Sequence, residues 1–206
     1  MSVSRLFSTD IYSASLVDSR GFDDLNNDLA DMAALLANDD EAGVKWCNEN
    51  GYDGYTSYSS LDDLTRRATC FRDLGRLVTK HAGDFASQLE MDTAGRRIVM
   101  DSMWVNVLRH GGRHPAHIHP HSVLSGTYYV SVPRGSASIR FEDPRLGLMM
   151  AAPPPIPNCR LDRQRFVNLE PKVGDLLLWE SWLRHEVPVH KARTVRISVS
   201  FNFRLT

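Results

Sequence analysis

The sequence predicts a mainly β protein, α+β by content. A helical N-terminal part of about residues 1–95 precedes an antiparallel sandwich or barrel over about residues 96–206. Three observations carry this expectation. Apolar residues recur twice at helical spacing before Gly95. After Gly95, short apolar runs are separated by turn signals. The final run alternates strictly, with Val195, Ile197, Val199, Phe201 and Phe203 on one face and Arg196, Ser198, Ser200, Asn202 and Arg204 on the other. A chain of 206 residues suits a single domain with a core that needs no covalent staples.

In order, residues 5–17 are extended and partly apolar, an expected edge strand. Leu25, Leu29, Met32 and Leu36 form one stripe of an amphipathic helix that ends near Asn38-Asp39-Asp40. A short second helix is expected over 43–49. Residues 51–60 (GYDGYTSYSS) are rich in turn formers and read as a loop or lid. Ser60-Leu61-Asp62-Asp63 resembles a capping box, which predicts a long helix over about 61–90, with a break expected near Gly83. His81, close to that helix's apolar stripe, reads as a structural histidine. Strands are then expected at 98–108, 125–132, 137–141, 166–169, 176–179 and 194–203. A Pro-rich loop fills 143–165.

Charge and cysteine content exclude several classes. The 24 basic and 25 acidic residues leave a net charge of −1, which gives no nucleic-acid footprint and no polybasic membrane signal. Cys47, Cys70 and Cys159 are scattered and odd in number, so a reducing compartment is the simple inference. The first fifteen residues lack a continuous apolar core, and no apolar run approaches the ~18 residues of a membrane span. A cytoplasmic location is therefore expected.

The chemistry concentrates in 109–132 (RHGGRHPAHIHPHSVLSGTYYVSV), where five of the eight histidines fall just before an expected buried strand. Imidazole is the commonest transition-metal ligand. Successive side chains of a strand alternate faces, so His117 and His119 point the same way, roughly 6–7 Å apart at the backbone. Their rings can converge on one ion. His119 and His121 have the same relation, so spacing alone does not choose the pair. A third ligand from a distant strand would close the site. His185, just beyond the strand at 176–179, is the candidate, and His190 is its competitor. On the polar face of the last strand, Arg196 inside a barrel would be a buried guanidinium requiring an anion, and Ser198 could add a hydroxyl to the same carboxylate.

Taken together, these residues resemble the 2-oxoglutarate/Fe(II)-dependent oxygenases. The resemblance rests on His117-Ile118-His119-Pro120, Ser125-Gly126-Thr127-Tyr128-Tyr129, Asp143-Pro144-Arg145, Gly174-Asp175, Trp182, His185 and Arg196-Ile197-Ser198. It covers roughly residues 95–206. It implies a double-stranded β-helix, a jelly-roll or cupin-like barrel, with the N-terminal helices packed on one sheet. It further implies Fe(II) on His117, His119 and His185, with 2-oxoglutarate as co-substrate. Arg196 and Ser198 would hold the far carboxylate, with Tyr129 preferred over Tyr128 as a third group. The implied reaction hydroxylates a small-molecule or peptide substrate and converts 2-oxoglutarate and O2 to succinate and CO2. A homodimer is compatible with such barrels. One departure stands out: where the family's triad carries a carboxylate, this chain has His119, and Glu142 or Asp143 could restore a mixed triad. Two other readings remain open: a cupin-like metal dioxygenase or hydrolase without 2-oxoglutarate, and a non-catalytic metal- or ligand-binding barrel.

Overall fold

The computed structural model describes residues 1–206. Three helices lie in the N-terminal half, α1 (Phe22–Asp39), α2 (Glu41–Glu49) and α3 (Thr69–Gln88). Six strands, β1 (Ile11–Ser15), β2 (Gly54–Thr56), β3 (Ile98–Leu108), β5 (Leu124–Ser131), β8 (Asp175–Glu180) and β10 (Arg196–Leu205), form one sheet in the order β1-β8-β5-β10-β3-β2. A smaller sheet has the order β4-β9-β6-β7, from β4 (His114–His117), β9 (His185–Val187), β6 (Ile139–Glu142) and β7 (Phe166–Leu169). All these strand pairings are antiparallel. This is the expected double-stranded β-helix with helices on one sheet. No helix is long and apolar enough to cross a membrane.

The alternation in β10 decides which face the helices cover. Ile197, Val199, Phe201 and Phe203 join Leu29 of α1 and Phe71, Leu74, Val78 and Phe85 of α3 in one cluster of 24 buried residues. The opposite face of β10 points into the barrel, where Arg196, Ser198 and Asn202 are buried although polar. Gly126 of the SGTYY segment lies in β5 between β8 and β10. A Cβ there would come within 2.4 Å of Phe201 Cε2 and 2.5 Å of Leu178 Cδ2. The glycine lets two core side chains close over the strand.

Three local expectations are corrected. Residues 51–60 are not a free loop or lid: β2 pairs with the end of β3, Gly54 opposite Leu108 and Thr56 opposite Asn106. Asp40 anchors this segment by accepting bonds from Tyr55 Oη and Ser60 Oγ while capping α2 through Gly43 N–H. The long helix begins at Thr69 rather than near 61, and Ala68 at its N-cap supplies no side-chain bond. The 60–63 segment is instead drawn to β3, where Met103 N–H donates to Asp62 C=O at 2.7 Å, so tertiary pairing overrides the local capping signal. Helix α3 runs through Gly83 without a break. Loop 143–165 is irregular as expected, apart from the single 3-10 turns Leu146–Leu148 and Leu161–Arg163.

Gly126→Ala should therefore lower stability by about 1–3 kcal/mol, the usual range for overpacking a core. Equilibrium denaturant unfolding would show it, and an unchanged midpoint would contradict the close approach of Phe201 and Leu178.

Candidate metal centre

The HPAH segment of β4 lies along β9, with His117 directly opposite His185. That register brings two imidazoles from distant parts of the chain together, their ring centroids 4.5 Å apart. His119 follows just after β4, held by its N–H donating to Ser181 C=O at 3.0 Å. One ring nitrogen from each of His117, His119 and His185 lies within 4.8 Å of the others. His119 Nε2 and His185 Nε2 are 3.3 Å apart. Two nitrogens each about 2.1 Å from one ion, at an angle of about 100°, would sit about 3.2 Å apart.

Hydrogen bonds select the ring nitrogens. His117 Nδ1–H donates to Pro115 C=O at 2.7 Å, and His185 Nδ1–H donates to Leu183 C=O at 2.9 Å. Because a carbonyl only accepts, both protons are fixed on Nδ1 and both Nε2 lone pairs are left for a ligand. Such bonds orient the rings and raise their basicity toward a metal. Burial, joined by the neighbouring His117, lowers the His119 pKa to about 4 and the His185 pKa to about 3. Both rings are thus neutral and able to coordinate near pH 7. Three imidazoles suit a divalent transition ion and leave its charge uncompensated, so the donor set fits Fe(II) with an anionic ligand beside it.

The other sequence candidates separate clearly. His121 is exposed at φ 72° and is not part of the cluster. His190 is buried, with Nδ1 accepting from Ala137 N–H at 3.3 Å and Nε2 donating to Thr194 C=O at 2.9 Å. Both its nitrogens are used, and it is not part of the cluster. His81 accepts from Tyr12 Oη at 2.8 Å between β1 and α3, a structural contact. Glu142 pairs with Arg184 at 3.3 Å, and Asp143 binds Arg145 through two bonds of 2.8 and 2.9 Å. Neither carboxylate joins the three histidines.

A cavity with an empty volume of about 470 Å³, including the part open to solvent, runs inward from these histidines. Arg196, Ser198 and Tyr129 line it. Arg196 is 2% exposed, and no carboxylate lies within 4.0 Å of it. Its Nη1 reaches Ser198 Oγ at 3.4 Å, its Nε has no partner, and its Cζ lies 4.9 Å from the centre of the Tyr129 ring. Tyr129 Oη is buried without a partner, whereas Tyr128 points to the helices and donates to Asn26 Oδ1 at 2.9 Å.

Several lining residues were not singled out from sequence. Trp179 packs edge-on against His185 with centroids 4.7 Å apart, and its Nε1 has no partner. Trp182 is half exposed and does not line the cavity. Trp104 and Asn106 share the inward face of β3, and their mutual parity was visible in the sequence. His114 also faces the cavity, but a register shift between His114 and His117 breaks the alternation that would have revealed it.

Fold and side chains together define a jelly roll with a three-histidine cluster next to a pocket lined by a buried guanidinium. Residues 102–202 match the family described as "Putative 2OG-Fe(II) oxygenase", a family whose cofactors are Fe(II) and 2-oxoglutarate. Among solved structures, a Pseudomonas putida prolyl-4-hydroxylase is similar at TM-score 0.58 and 13% identity, over 96% of this chain and 93% of that one. The epimerase SnoN from nogalamycin biosynthesis, solved with Fe3+, alpha ketoglutarate and nogalamycin RO, gives TM-score 0.62 and 13% identity over 95% and 79%. HygX from Streptomyces hygroscopicus, solved with nickel and 2-oxoglutarate, gives 0.59 and 11% over 96% and 83%. At such identities these likenesses show the fold. No curated protein matches the sequence.

The pKa directions imply acid lability of the metal-free protein. His119 and His185 are depressed below the unfolded value of 6.5, so between pH 6.5 and about 4 the unfolded chain binds more protons than the folded one. Stability conferred above pH 6.5 should fall steadily through that window. Thermal unfolding of metal-free protein across it reads the effect, and replacing His185 by Phe should flatten the slope.

Proposed function

We propose that this chain holds Fe(II) on His117, His119 and His185, binds the far carboxylate of 2-oxoglutarate at Arg196 with Ser198 and Tyr129, and hydroxylates a C–H bond of a small-molecule or peptide substrate. The observation that carries the reading is the guanidinium of Arg196, buried and without a carboxylate partner on the wall of the cavity that the three histidines open. A buried, unpaired charge is costly, and a planar anion removes the cost through two parallel bonds.

Iron, when bound, supplies the activation of O2. The chain's own residues do the rest. His117 and His185 keep Nε2 aimed at the ion through their carbonyl bonds. Trp179 and Trp104 pack on His185 and His119 and wall the site against water. Arg196 fixes the co-substrate's orientation from the far end. Three neutral imidazoles leave two positive charges on a ferrous ion, and the two carboxylates of 2-oxoglutarate add charge of the opposite sign.

The reading predicts that Arg196→Ala weakens 2-oxoglutarate binding by on the order of 100-fold, as expected for truncating one partner of a buried charge pair. Metal affinity should be unchanged. His185→Ala should lose the metal. Anaerobic titration of metal-stripped protein with Fe(II), then 2-oxoglutarate, followed by the visible charge-transfer band of the chelate, reads both. Tight Fe(II) binding with no chelate band in the unsubstituted protein would instead indicate a barrel that works without 2-oxoglutarate.

A further inference from the structure

One imidazole on the cavity wall has no role in the reading above. His114 opens β4, three residues before His117, and is registered against Val187. Its Nε2 lies 2.8 Å from Tyr52 Oη, with the two rings edge-on and their centroids 5.2 Å apart. Its Nδ1 makes no hydrogen bond within the protein. His190, by comparison, has both ring nitrogens bonded to backbone, whereas His114 has one bonded to a side chain and the other left over.

Register and packing bring His114 to the Arg196 end of the cavity. Leu108 is opposite Arg196 across β3 and β10, and it clusters with Val187, the partner of His114, and with Tyr52. Burial first, then the positive charge of Arg196, holds the His114 pKa down to about 3, so the ring is neutral. A neutral ring whose Nε2 accepts the Tyr52 hydroxyl proton carries its own proton on Nδ1. That leaves an N–H donor beside a guanidinium, two donors with no acceptor between them, a pairing that suits a carboxylate and offers a ligand's own donors no partner.

We propose that His114, oriented by Tyr52, is a second recognition group for the far carboxylate of the co-substrate, which is then read by an imidazole N–H as well as by the guanidinium of Arg196. The inference rests on the 2-oxoglutarate reading and adds a specificity device to it: Tyr52, from the segment before β2, holds His114 from behind the cavity wall.

The test compares two 2-oxo acids on anaerobic, Fe(II)-loaded protein: 2-oxoglutarate, and 2-oxopentanoate, which has the same chain length but no far carboxylate. His114→Ala should weaken 2-oxoglutarate roughly tenfold, the size of one hydrogen bond to a charged group. His114→Gln, which keeps an N–H donor, should recover part of the loss, and Tyr52→Phe should cost a few-fold. Binding of 2-oxopentanoate and of Fe(II) alone should stay as in the unsubstituted protein. Equal losses for both acids would mean a structural role and overturn the proposal, as would unchanged 2-oxoglutarate affinity in all three variants. If the unsubstituted protein does not prefer 2-oxoglutarate over 2-oxopentanoate, the far carboxylate is not read at all, and the parent reading falls together with this one.

Discussion

A guanidinium buried without a counter-charge is the constraint around which this barrel is arranged. Arg196 begins β10, the strand whose other face closes the main hydrophobic core. The same alternation that sends Ile197, Val199, Phe201 and Phe203 toward the helices sends Arg196 and Ser198 inward. The charge cannot retreat to solvent without moving the strand, and moving the strand would open the core. The protein therefore keeps an electrostatic debt on the inner face that only a ligand anion can settle. Tyr129 softens it, placing the electron-rich face of its ring beneath the guanidinium.

The same logic bears on the histidine in place of the usual carboxylate. A triad with an acidic ligand carries one negative charge of its own, and a triad of imidazoles carries none. At the other end of the cavity Arg196 adds another positive charge. With a divalent ion on the three histidines, the pocket would present positive character at both ends, with neutral groups such as Thr127 and Ser200 lining it. A dicarboxylate bridging the ends meets favourable charge at each, while a monocarboxylate leaves one end unpaired.

Much of this was legible in the chain, because period-two alternation is a strong signal wherever one face is wholly apolar. The alternation of β10 correctly divided core from cavity, and the choice of Tyr129 over Tyr128 followed from the polarity of Thr127 and Ser131 on the same face. His117, His119 and His185 are brought together as the sequence anticipated, with Trp182 of the same motif left half exposed outside the cavity. What sequence could not carry were features fixed by partners far along the chain. The shift between His114 and His117 reverses the parity of β4 and hides His114. The start of α3 was misplaced because the 60–63 segment finds partners in β3 and α2 that outweigh its own capping pattern. Strand β2 looked like a loop because three residues with a glycine carry no periodicity; its identity comes from the open edge of β3.

The division between the two sheets explains how such a site can be tolerated. The helix-backed face of the large sheet contributes to a cluster of 24 buried residues, whereas the clusters on the cavity side hold six and three. Stability is concentrated behind the large sheet, so the inner face can leave Arg196, Tyr129 and Trp179 with unsatisfied polar atoms. The small sheet supplies precision of a different kind. His117 and His185 are direct neighbours across β4 and β9, and β9 is in turn held by β6, where Arg140 pairs with Glu186. Because His117 and His185 face each other across a single strand register, loosening β9 would separate the two imidazoles while leaving the helix-backed core intact.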